Sequence, residues 1–342
     1  MNPKLKNFLK YFFSIILTFG FLYFAFKGID FAKLYEVLVN ANYWWALAMF
    51  PILLLSHAIR TWRWYYLLSP VKKEMKFRNL FSALIIGYMM NNVLPRVGEL
   101  VRPYAIGKLE NVSRSAAFAT VIVERFFDII SFVILMAMIP LVYSGPLTET
   151  FPWLENTGIW ATLITLLILG IFIFLMMRRD IVEKFLNYIK PHISEKKSKL
   201  VNHIVLSFLD GFLFFKDRSN YLAIIFTSIL IWLLYILMMF LPFYAFGLVD
   251  KYNLDLGTAL VVQAISSIGI LIPTPGATGP YHYFTIQTLT KLYGVDNELA
   301  VSYATVTHAV GFIGITLLGA FYFFKDKMSM SEIMQQNEDK DK

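Results

Sequence analysis

Two groups of charged residues interrupt stretches that are otherwise apolar. The first group lies in the string PRVGELVRP and consists of Arg96, Glu99 and Arg102. The second lies between the strings AAFATVIV and IISFVILMAMI and consists of Glu124, Arg125 and Asp128. A guanidinium group matches the oxygens of a phosphate, and a carboxylate can orient an arginine or meet a cationic group. The two groups therefore predict a binding site for an anionic phosphate.

The spacing of the second group places it on one side of a helix. Glu124 and Asp128 are four residues apart, and Arg125 is three residues from Asp128. Charges within a bilayer are costly, so this side must face the protein interior or a watery cavity. Two structural alternatives remain open. The arginines of the first group could extend to the lipid headgroups, and the second group could be an ionic network that holds helices together.

A third candidate region is polar without being charged. Its hydroxyl, amide and imidazole groups belong to Gln263, Ser266, Ser267, Thr274, Thr278, Tyr281, His282, Thr307 and His308. His282 and His308 could titrate in a coupled transport mechanism, although a histidine inside a membrane protein is more often a hydrogen-bonded packing residue. Two histidines without a neighbouring carboxylate are a weak metal signal, so we predict no metal site.

Enzyme chemistry and nucleic-acid binding are not indicated. The chain lacks a nucleophile elbow, a Walker A loop, a zinc-protease motif and a dinucleotide fingerprint, so we predict neither catalysis nor a cofactor. It also has no cysteine. The net charge of +8 comes from basic residues that flank apolar runs, which is typical of proteins at an anionic membrane surface.

The elements that position these residues are apolar and long. Apolar residues make up 58% of the 342 residues, and only 16% are charged. A bilayer span needs about 20 mostly apolar residues. The sequence contains eight candidate segments, at 8–27, 43–59, 79–94, 115–143, 158–177, 221–247, 256–272 and 298–324. The fold class is therefore predicted to be an all-α polytopic membrane protein.

Basic residues predict the topology of these segments. The stretches 60–78 and 178–220 are rich in Lys and Arg and should be cytoplasmic, whereas 144–157 has none and should be external. If 79–94 crossed the bilayer, the basic stretch 178–220 would lie outside. That segment reaches only about 24 Å, short of a hydrocarbon core of about 30 Å. We therefore predict that it forms a re-entrant hairpin with the residues up to 108.

The second half predicts the same arrangement from the opposite face. Residues 256–294 should form a re-entrant hairpin that starts and ends outside, which leaves six spanning helices and both termini in the cytoplasm. Short segments interrupted by proline and glycine, at corresponding places in two halves, mark the binding site of many transporters. The predicted hairpin and gating residues are Pro95, Gly98, Pro273, Pro275, Gly276 and Gly279.

The domain prediction follows from this topology. Residues 1–327 should form one membrane domain with an inverted repeat, and the tail 328–342 is polar and predicted to be disordered. The domain is divided into half-repeats at 43–143 and 221–324 and a cytoplasmic amphipathic stretch at 178–220. Pro-x-x-Gly occurs at 95–98 and at 273–276, and Ala-Thr-Val follows at 119–121 and at 304–306.

The string PRVGELVRPYAIGKLENVSRSAAFATVIVERFFDII carries a family resemblance. Pro-x-x-Gly-Glu-x-x-Arg, followed by a helix with Glu-Arg-x-x-Asp, resembles the transmembrane region of bacterial lysylphosphatidylglycerol synthases over most of residues 5–325. The matching positions are Pro95, Gly98, Glu99, Arg102, Glu124, Arg125 and Asp128. Many relatives carry an extra glycine and an acid where this chain has ATGPYH at 277–282.

The resemblance implies transport of lipid and not lipid synthesis. In full-length synthases this region is credited with moving aminoacylated phosphatidylglycerol across the bilayer, while a separate cytoplasmic domain transfers the amino acid. No such domain is recognisable in these 342 residues. We therefore expect a flippase-like transporter in the cell (inner) membrane that moves a phospholipid or a polyprenyl-phosphate-linked glycan.

Two alternatives belong to other classes. Carboxylates and histidines inside the membrane also suit a proton- or ion-coupled transporter of a small solute. The chain could instead be a non-catalytic membrane subunit that presents lipid to a separate glycosyl- or aminoacyl-transferase. The expected partners are therefore membrane lipids and, under the second alternative, a separate glycosyl- or aminoacyl-transferase, without nucleic acid.

Overall fold

The computed structural model describes residues 3–152 and 220–329, together with scattered positions between 167 and 210. All the regular elements in these ranges are helical. The first range contains α1 (Pro3–Phe26), α2 (Phe31–Val39), α3 (Tyr43–Leu68), α4 (Phe77–Val93), α5 (Gly98–Glu110), α6 (Arg114–Val142) and α7 (Leu147–Thr150). The second contains α8 (Tyr221–Ala245), α9 (Leu248–Tyr252), α10 (Leu256–Leu271), a 3-10 turn (Pro275–Ala277), α11 (Pro280–Gln287), a π-helical turn (Thr288–Leu292) and α12 (Asn297–Lys325).

Four of the described helices are long and apolar enough to cross a membrane, namely α3, α6, α8 and α12. A fifth candidate joins the apolar part of α1 to α2 across a bend of 88°. Asp30 begins α2 by accepting hydrogen bonds from the backbone N–H groups of Ala32 and Lys33. Such a cap lets the chain turn sharply without leaving the first N–H groups of the helix unpaired.

Helices α4 and α5 form the first helical hairpin. Helix α4 ends before Pro95, because the residue before a proline is disfavoured in helical conformation, and Leu94 is extended. Glycines let the two helices approach closely: a Cβ on Gly98 would lie 1.8 Å from the carbonyl oxygen of Gly87. The side chain of Asn91 completes the turn by accepting a hydrogen bond of 2.7 Å from the Gly98 N–H.

The open end of the first hairpin lies beside the C-terminus of α12. Asn79, in the first turn of α4, donates a hydrogen bond of 2.7 Å to Glu110, the last residue of α5. Arg78 forms an ion pair of 2.5 Å with Asp326, which directly follows α12. The chain therefore leaves the first hairpin at the end of the bundle where it entered.

Helix α10 and helix α11 form the second hairpin. Helix α10 begins with a capping box between Asp255 and Thr258 and ends before Pro273. The turn contains Gly279 at a φ of 95°, a conformation that L-residues with a side chain rarely adopt. Gly269 again allows close packing, since a Cβ there would lie 2.8 Å from the backbone of Pro280.

The open end of the second hairpin lies at the N-terminus of α12. Lys251, just before α10, forms an ion pair of 2.6 Å with Asp296, the residue that precedes α12. Helix α12 is continuous over 29 residues, or about 43 Å at 1.5 Å per residue. The two hairpins therefore open at opposite ends of this helix.

The closed ends of the hairpins meet between those two levels. Arg96, in the turn of the first hairpin, donates a hydrogen bond of 2.7 Å to the carbonyl oxygen of Leu271, at the end of α10. Asn92 donates one of 2.9 Å to Thr316 on α12, and it also lies beside Gly276 of the second turn. A direct polar contact thus links the two turns.

The structure can be compared with the predicted segments element by element. The predicted short segments 79–94 and 256–272 correspond closely to α4 and α10. The predicted span 158–177 and most of the stretch 178–220 lie outside the described residues. Met328, the first residue of the predicted tail 328–342, is buried in a core cluster that includes residues of α4 and α5. The division of the chain into half-repeats and tail stays a prediction. Residues 330–342 of that tail also lie outside the described part of the chain.

Candidate functional site

Two buried arginines on α3 form one side of the site. The prediction placed Arg60 and Arg63 in the basic stretch 60–78, but α3 continues to Leu68 and both side chains are buried. The apolar and aromatic string TWRWYYLL keeps this part of the chain helical and buried. Because they are three residues apart, the two arginines project from nearly the same face of α3.

Two carboxylates on α6 form ion pairs with these arginines. Arg60 Nη1 lies 2.7 Å from Glu124 Oε1 and 2.8 Å from Asp128 Oδ2. Arg63 Nη2 lies 2.6 Å from Asp128 Oδ1. Glu124 is fully buried, as the predicted orientation of this face of α6 requires.

Helix α8 completes the coordination of the two arginines. Arg60 donates a hydrogen bond of 3.0 Å to the Tyr235 hydroxyl, and Arg63 donates one of 3.0 Å to the Ser228 hydroxyl. Both acceptors are neutral, so α8 holds the arginines without cancelling their charge. The site therefore joins α3, α6 and α8.

A third arginine comes from the first hairpin. Arg102 Nη2, on α5, lies 2.6 Å from Glu124 Oε2. Its guanidinium carbon sits 3.7 Å from the centre of the Trp64 ring, a distance typical of a cation–π contact. Trp64 is itself fixed by a hydrogen bond of 2.9 Å to Thr120. Arg102 is thus held between an aromatic ring and a carboxylate.

The fourth arginine is the most accessible. Arg125 Nη2 lies 3.1 Å from Glu124 and 3.4 Å from Asp128, and its side chain is 37% exposed. It lines a cavity of about 20 Å³ together with Arg102 and Glu99, where Gly87 and Gly98 form part of the wall. That volume holds about one water molecule. A larger ligand therefore requires the first hairpin to move relative to α6.

Positive charge exceeds negative charge in this group. We call it the arginine cluster, and it consists of Arg60, Arg63, Arg102, Glu124, Arg125 and Asp128. Four arginines and two carboxylates leave a net charge of +2. The Nε atoms of all four arginines are buried and have no hydrogen-bond partner among the residues that the structure describes. The arrangement can therefore stabilise an additional anion.

A second polar group surrounds the turn of the second hairpin. His308 Nε2 lies 2.8 Å from the Gly276 carbonyl oxygen, which can only accept, so Nε2 carries the proton. The rings of His282 and His308 are 4.7 Å apart. The hydroxyls of Tyr281 and Thr307 are 2.9 Å apart. We call these four side chains the histidine cluster, which is held by hydrogen bonds and ring contacts.

The remaining predicted residues occupy separate places. Arg96 lies at the contact between the two hairpin turns, away from the arginine cluster. Glu99 lines the cavity but makes no ion pair with the arginines within the described part of the chain. Within that part, no group of three or more His, Cys, Asp or Glu residues could hold a metal ion.

Sequence reasoning missed half of the arginines in the site. In the sequence, Arg60 and Arg63 belong to the basic stretch 60–78, whose excess of Lys and Arg predicts a cytoplasmic loop. One signal could have distinguished them: the aromatic string after Arg60 continues the apolar pattern of α3 as far as Leu68, and only then does Ser-Pro end it.

Comparison with known proteins identifies the family of this chain. The profile described as the lysylphosphatidylglycerol synthase TM region matches residues 11–319. The chain therefore belongs to this family. A UPF0104 membrane protein of Methanocaldococcus jannaschii is 26% identical over 324 residues, which cover 90% of this chain and 92% of the relative. Another of Pyrococcus horikoshii is 26% identical over 298 residues, covering 82% and 86%. No solved structure matches the chain.

Membership of the lysylphosphatidylglycerol synthase TM-region family agrees with the apolar helices. The protein is a multi-pass membrane protein. The matched family is a membrane region, and its profile covers every residue of the arginine and histidine clusters. Both clusters therefore belong to the part of the chain that defines the family.

Proposed function

We propose that this protein is a flippase-like transporter of an amphiphile that carries an anionic phosphate, either a phospholipid or a polyprenyl-phosphate-linked glycan. The observation that carries the proposal is the buried arginine cluster, whose net charge is positive and whose most accessible arginine lines a cavity. An unpaired charge inside a membrane protein is costly and tends to mark a substrate pathway. Membership of the family, whose name refers to a lipid synthase, supports the same substrate class.

In this proposal Arg102 and Arg125 contact the phosphate, and Glu124 and Asp128 hold the arginines in place. Arg96 acts at a distance from the phosphate, because it connects the two hairpin turns. The two hairpins are re-entrant and gate opposite faces by alternating access. Their open ends at the two termini of α12 support this arrangement. The protein itself carries out no covalent chemistry.

A transport assay tests the proposal directly. Purified protein is reconstituted into liposomes with fluorescent lipids of different headgroups, and the fraction of lipid that moves between leaflets is measured. We expect translocation of phosphate-bearing lipids, abolished in Arg125→Gln and retained in Lys251→Gln. Lys251 is a suitable control because it lies in an exposed ion pair at the other end of the bundle. Absence of headgroup-dependent translocation across a broad panel would exclude the function.

The proposed topology has its own test. The chain has no cysteine, so single cysteines can be labelled on intact cells with a membrane-impermeant maleimide. The positions are Lys73, Asn111, Thr148 and Lys197, and only Thr148→Cys should react. Labelling at position 111 but not at position 73 would mean that α4 crosses the bilayer. The re-entrant hairpin would then have to be abandoned.

A second candidate function rests on the histidine cluster. His282 and His308 are in ring contact at the turn of the second hairpin, where a proton taken up by one ring would place a positive charge beside the other. This favours coupling of transport to protons. A pH gradient across the same liposomes would increase the transport rate if the histidines couple transport, and His308→Gln would remove that increase.

A further inference from the structure

The charge of the arginine cluster constrains the kind of phosphate that it can bind. Its four guanidinium groups share two carboxylates, which leaves a formal net charge of +2. Glu124, the member of the cluster that contacts all four arginines, lies about 15 Å from the beginning of α6, among buried neighbours. Uncompensated charges in such a place carry a large desolvation penalty. A ligand is most strongly bound when it neutralises both charges.

The four arginines differ in how closely they are already paired with carboxylates and in how exposed they are. Arg60, Arg63 and Arg102 are at most 5% exposed, and each makes an ion pair of 2.6 to 2.7 Å or a further hydrogen bond to α8. Arg125 makes longer contacts and faces the cavity. A phosphate that entered the cavity would therefore bind to Arg125 first and share Arg102 with Glu124.

We infer that the arginine cluster binds a phosphate group with two negative charges, that is a phosphomonoester or a terminal diphosphate, in preference to a singly charged phosphodiester. The inference rests on the proposed function and deepens it by narrowing the substrate to lipids with a terminal phosphate. It disfavours a glycan that is joined to a polyprenyl chain through a single phosphate, because that linkage is a phosphodiester. A phosphodiester would leave one charge of the cluster uncompensated, whereas a phosphomonoester neutralises both.

Other titratable groups near the cavity affect this balance. They are His57 on α3, Tyr88 on α4, Glu99 on α5 and Tyr235 on α8. Glu99 matters most, because a carboxylate in the wall of the cavity repels a dianion. If the ligand instead carried a cationic group beside its phosphate, Glu99 would attract it. The sign of the Glu99 effect therefore discriminates between the two kinds of headgroup.

Two lipids that differ by one methyl group provide the test. Dioleoyl phosphatidic acid carries a phosphomonoester, and dioleoyl phosphatidylmethanol carries the same acyl chains on a phosphodiester. Binding of each lipid to the detergent-purified full chain is measured at about pH 8, where the monoester is doubly charged. We expect phosphatidic acid to bind at least about tenfold more tightly, as one further neutralised charge at short range predicts.

A pH series distinguishes the effect of the ligand's charge on binding from the effect of the protein's charge. The second ionisation of a phosphomonoester has a pKa of about 6, so at about pH 5 phosphatidic acid is singly charged. Phosphatidic acid should then bind no more tightly than phosphatidylmethanol. A change in the charge of the protein would alter the binding of both lipids, whereas the ionisation of the ligand changes only that of phosphatidic acid.

Variants assign the preference to the cluster. Arg125→Gln should reduce the preference for phosphatidic acid to less than about twofold while the melting temperature shows that the protein is still folded. Lys251→Gln should preserve the preference. Glu99→Gln should strengthen the binding of phosphatidic acid, by removal of a like charge. Weaker binding of phosphatidic acid in Glu99→Gln would contradict the inference, because this lipid carries no cationic group that the Glu99 carboxylate could attract.

Each outcome has a distinct meaning. Equal affinities for the two lipids at about pH 8 would overturn the dianion inference and leave the proposed lipid transport standing. Failure of both lipids to bind folded protein would overturn both. If glycerol 3-phosphate or inorganic phosphate binds as tightly as phosphatidic acid, the dianion chemistry is supported but the ligand comes from solution, and the proposed lipid substrate is excluded.

Discussion

The arginine cluster and the histidine cluster are both buried beside a hairpin, but their polar groups are satisfied in different ways. The histidine cluster is formally neutral, and its hydroxyls and imidazoles find partners among themselves and in the backbone of the hairpin turn. The arginine cluster retains two positive charges and four unpaired Nε atoms. This difference supports the proposed ligand site beside the first hairpin, whereas the contacts of the histidine cluster hold the turn of the second hairpin.

The backbones of the two hairpins are more alike than their side chains. In each, a proline ends the first helix and a glycine lets the second helix pack closely, with Gly98 in one and Gly269 in the other. The two hairpins thus have similar backbones, and the proposed phosphate site distinguishes the first from the second. The following predictions test that separation.

Substitution of Glu124 should have the largest effect on the free energy of unfolding. Glu124 contacts all four arginines, so Glu124→Gln leaves an additional buried charge uncompensated. We expect a loss of about 3 to 5 kcal/mol in the free energy of unfolding, measured by denaturation in detergent. The exposed Glu149→Gln is the matched control.

A double variant distinguishes charge from packing in this prediction. Arg102→Met combined with Glu124→Gln removes one charge of each sign, so the net charge of the cluster stays at +2. We expect part of the lost stability to return. If the double variant is less stable than Glu124→Gln alone, loss of packing and not charge imbalance dominates.

A substitution that disturbs the close packing of α4 against α5 should have the next largest effect on stability. Gly98→Ala would place a Cβ 1.8 Å from the carbonyl oxygen of Gly87, and overpacking of this kind costs about 1 to 3 kcal/mol. We expect a lower melting temperature and a lower rate of transport. Gly311→Ala, where the added Cβ meets open space, should leave both unchanged. Equal effects of the two substitutions would contradict the close approach of α4 and α5.

A substitution in the histidine cluster should have a smaller effect. His308→Phe preserves the ring that stacks on Phe312 but leaves the Gly276 carbonyl oxygen without its donor. We expect a loss of about 1 kcal/mol and unchanged affinity for phosphatidic acid. A loss of stability as large as that of Glu124→Gln, or a loss of phosphate binding, would remove the distinction between the two clusters.

The smallest effect is expected at the open end of the first hairpin and depends on pH. Burial opposes ionisation of Glu110, but hydrogen bonds from Asn79, the Lys76 N–H and Lys72 hold the pKa of its carboxyl below the ordinary value. The carboxylate therefore contributes stability above the pKa of the unfolded chain, and this contribution is lost as the pH falls through the lower pKa of the folded protein.

This contribution should be small because Lys72 is partly exposed to solvent. We expect about 0.5 kcal/mol, seen as a difference in stability between the natural chain and Glu110→Gln at about pH 7 that disappears below about pH 4. Hydrogen exchange of the first turn of α4 measures the same change locally. If the difference in stability between the natural chain and Glu110→Gln grew at low pH, the hydrogen bonds to Glu110 would not stabilise its ionised form.

Local sequence determined the elements and the inward-facing charges of this protein. Apolar runs of sufficient length predict the long helices, and Pro95 and Pro273 end α4 and α10 because proline disfavours helical conformation in the preceding residue. The spacing of Glu124 and Asp128 predicts that they share a buried face, since charge is not tolerated against lipid.

Only the tertiary structure decided which groups those carboxylates meet. Arg60 is 64 residues from Glu124 in sequence, and a basic residue near the end of an apolar segment has the same local pattern whether it anchors a loop at the membrane surface or turns inward. The contact between His282 and His308 likewise depends on the position of the second hairpin against α12. Local periodicity specifies which face of a helix is buried, but the partner on that face is fixed by the packing of distant helices.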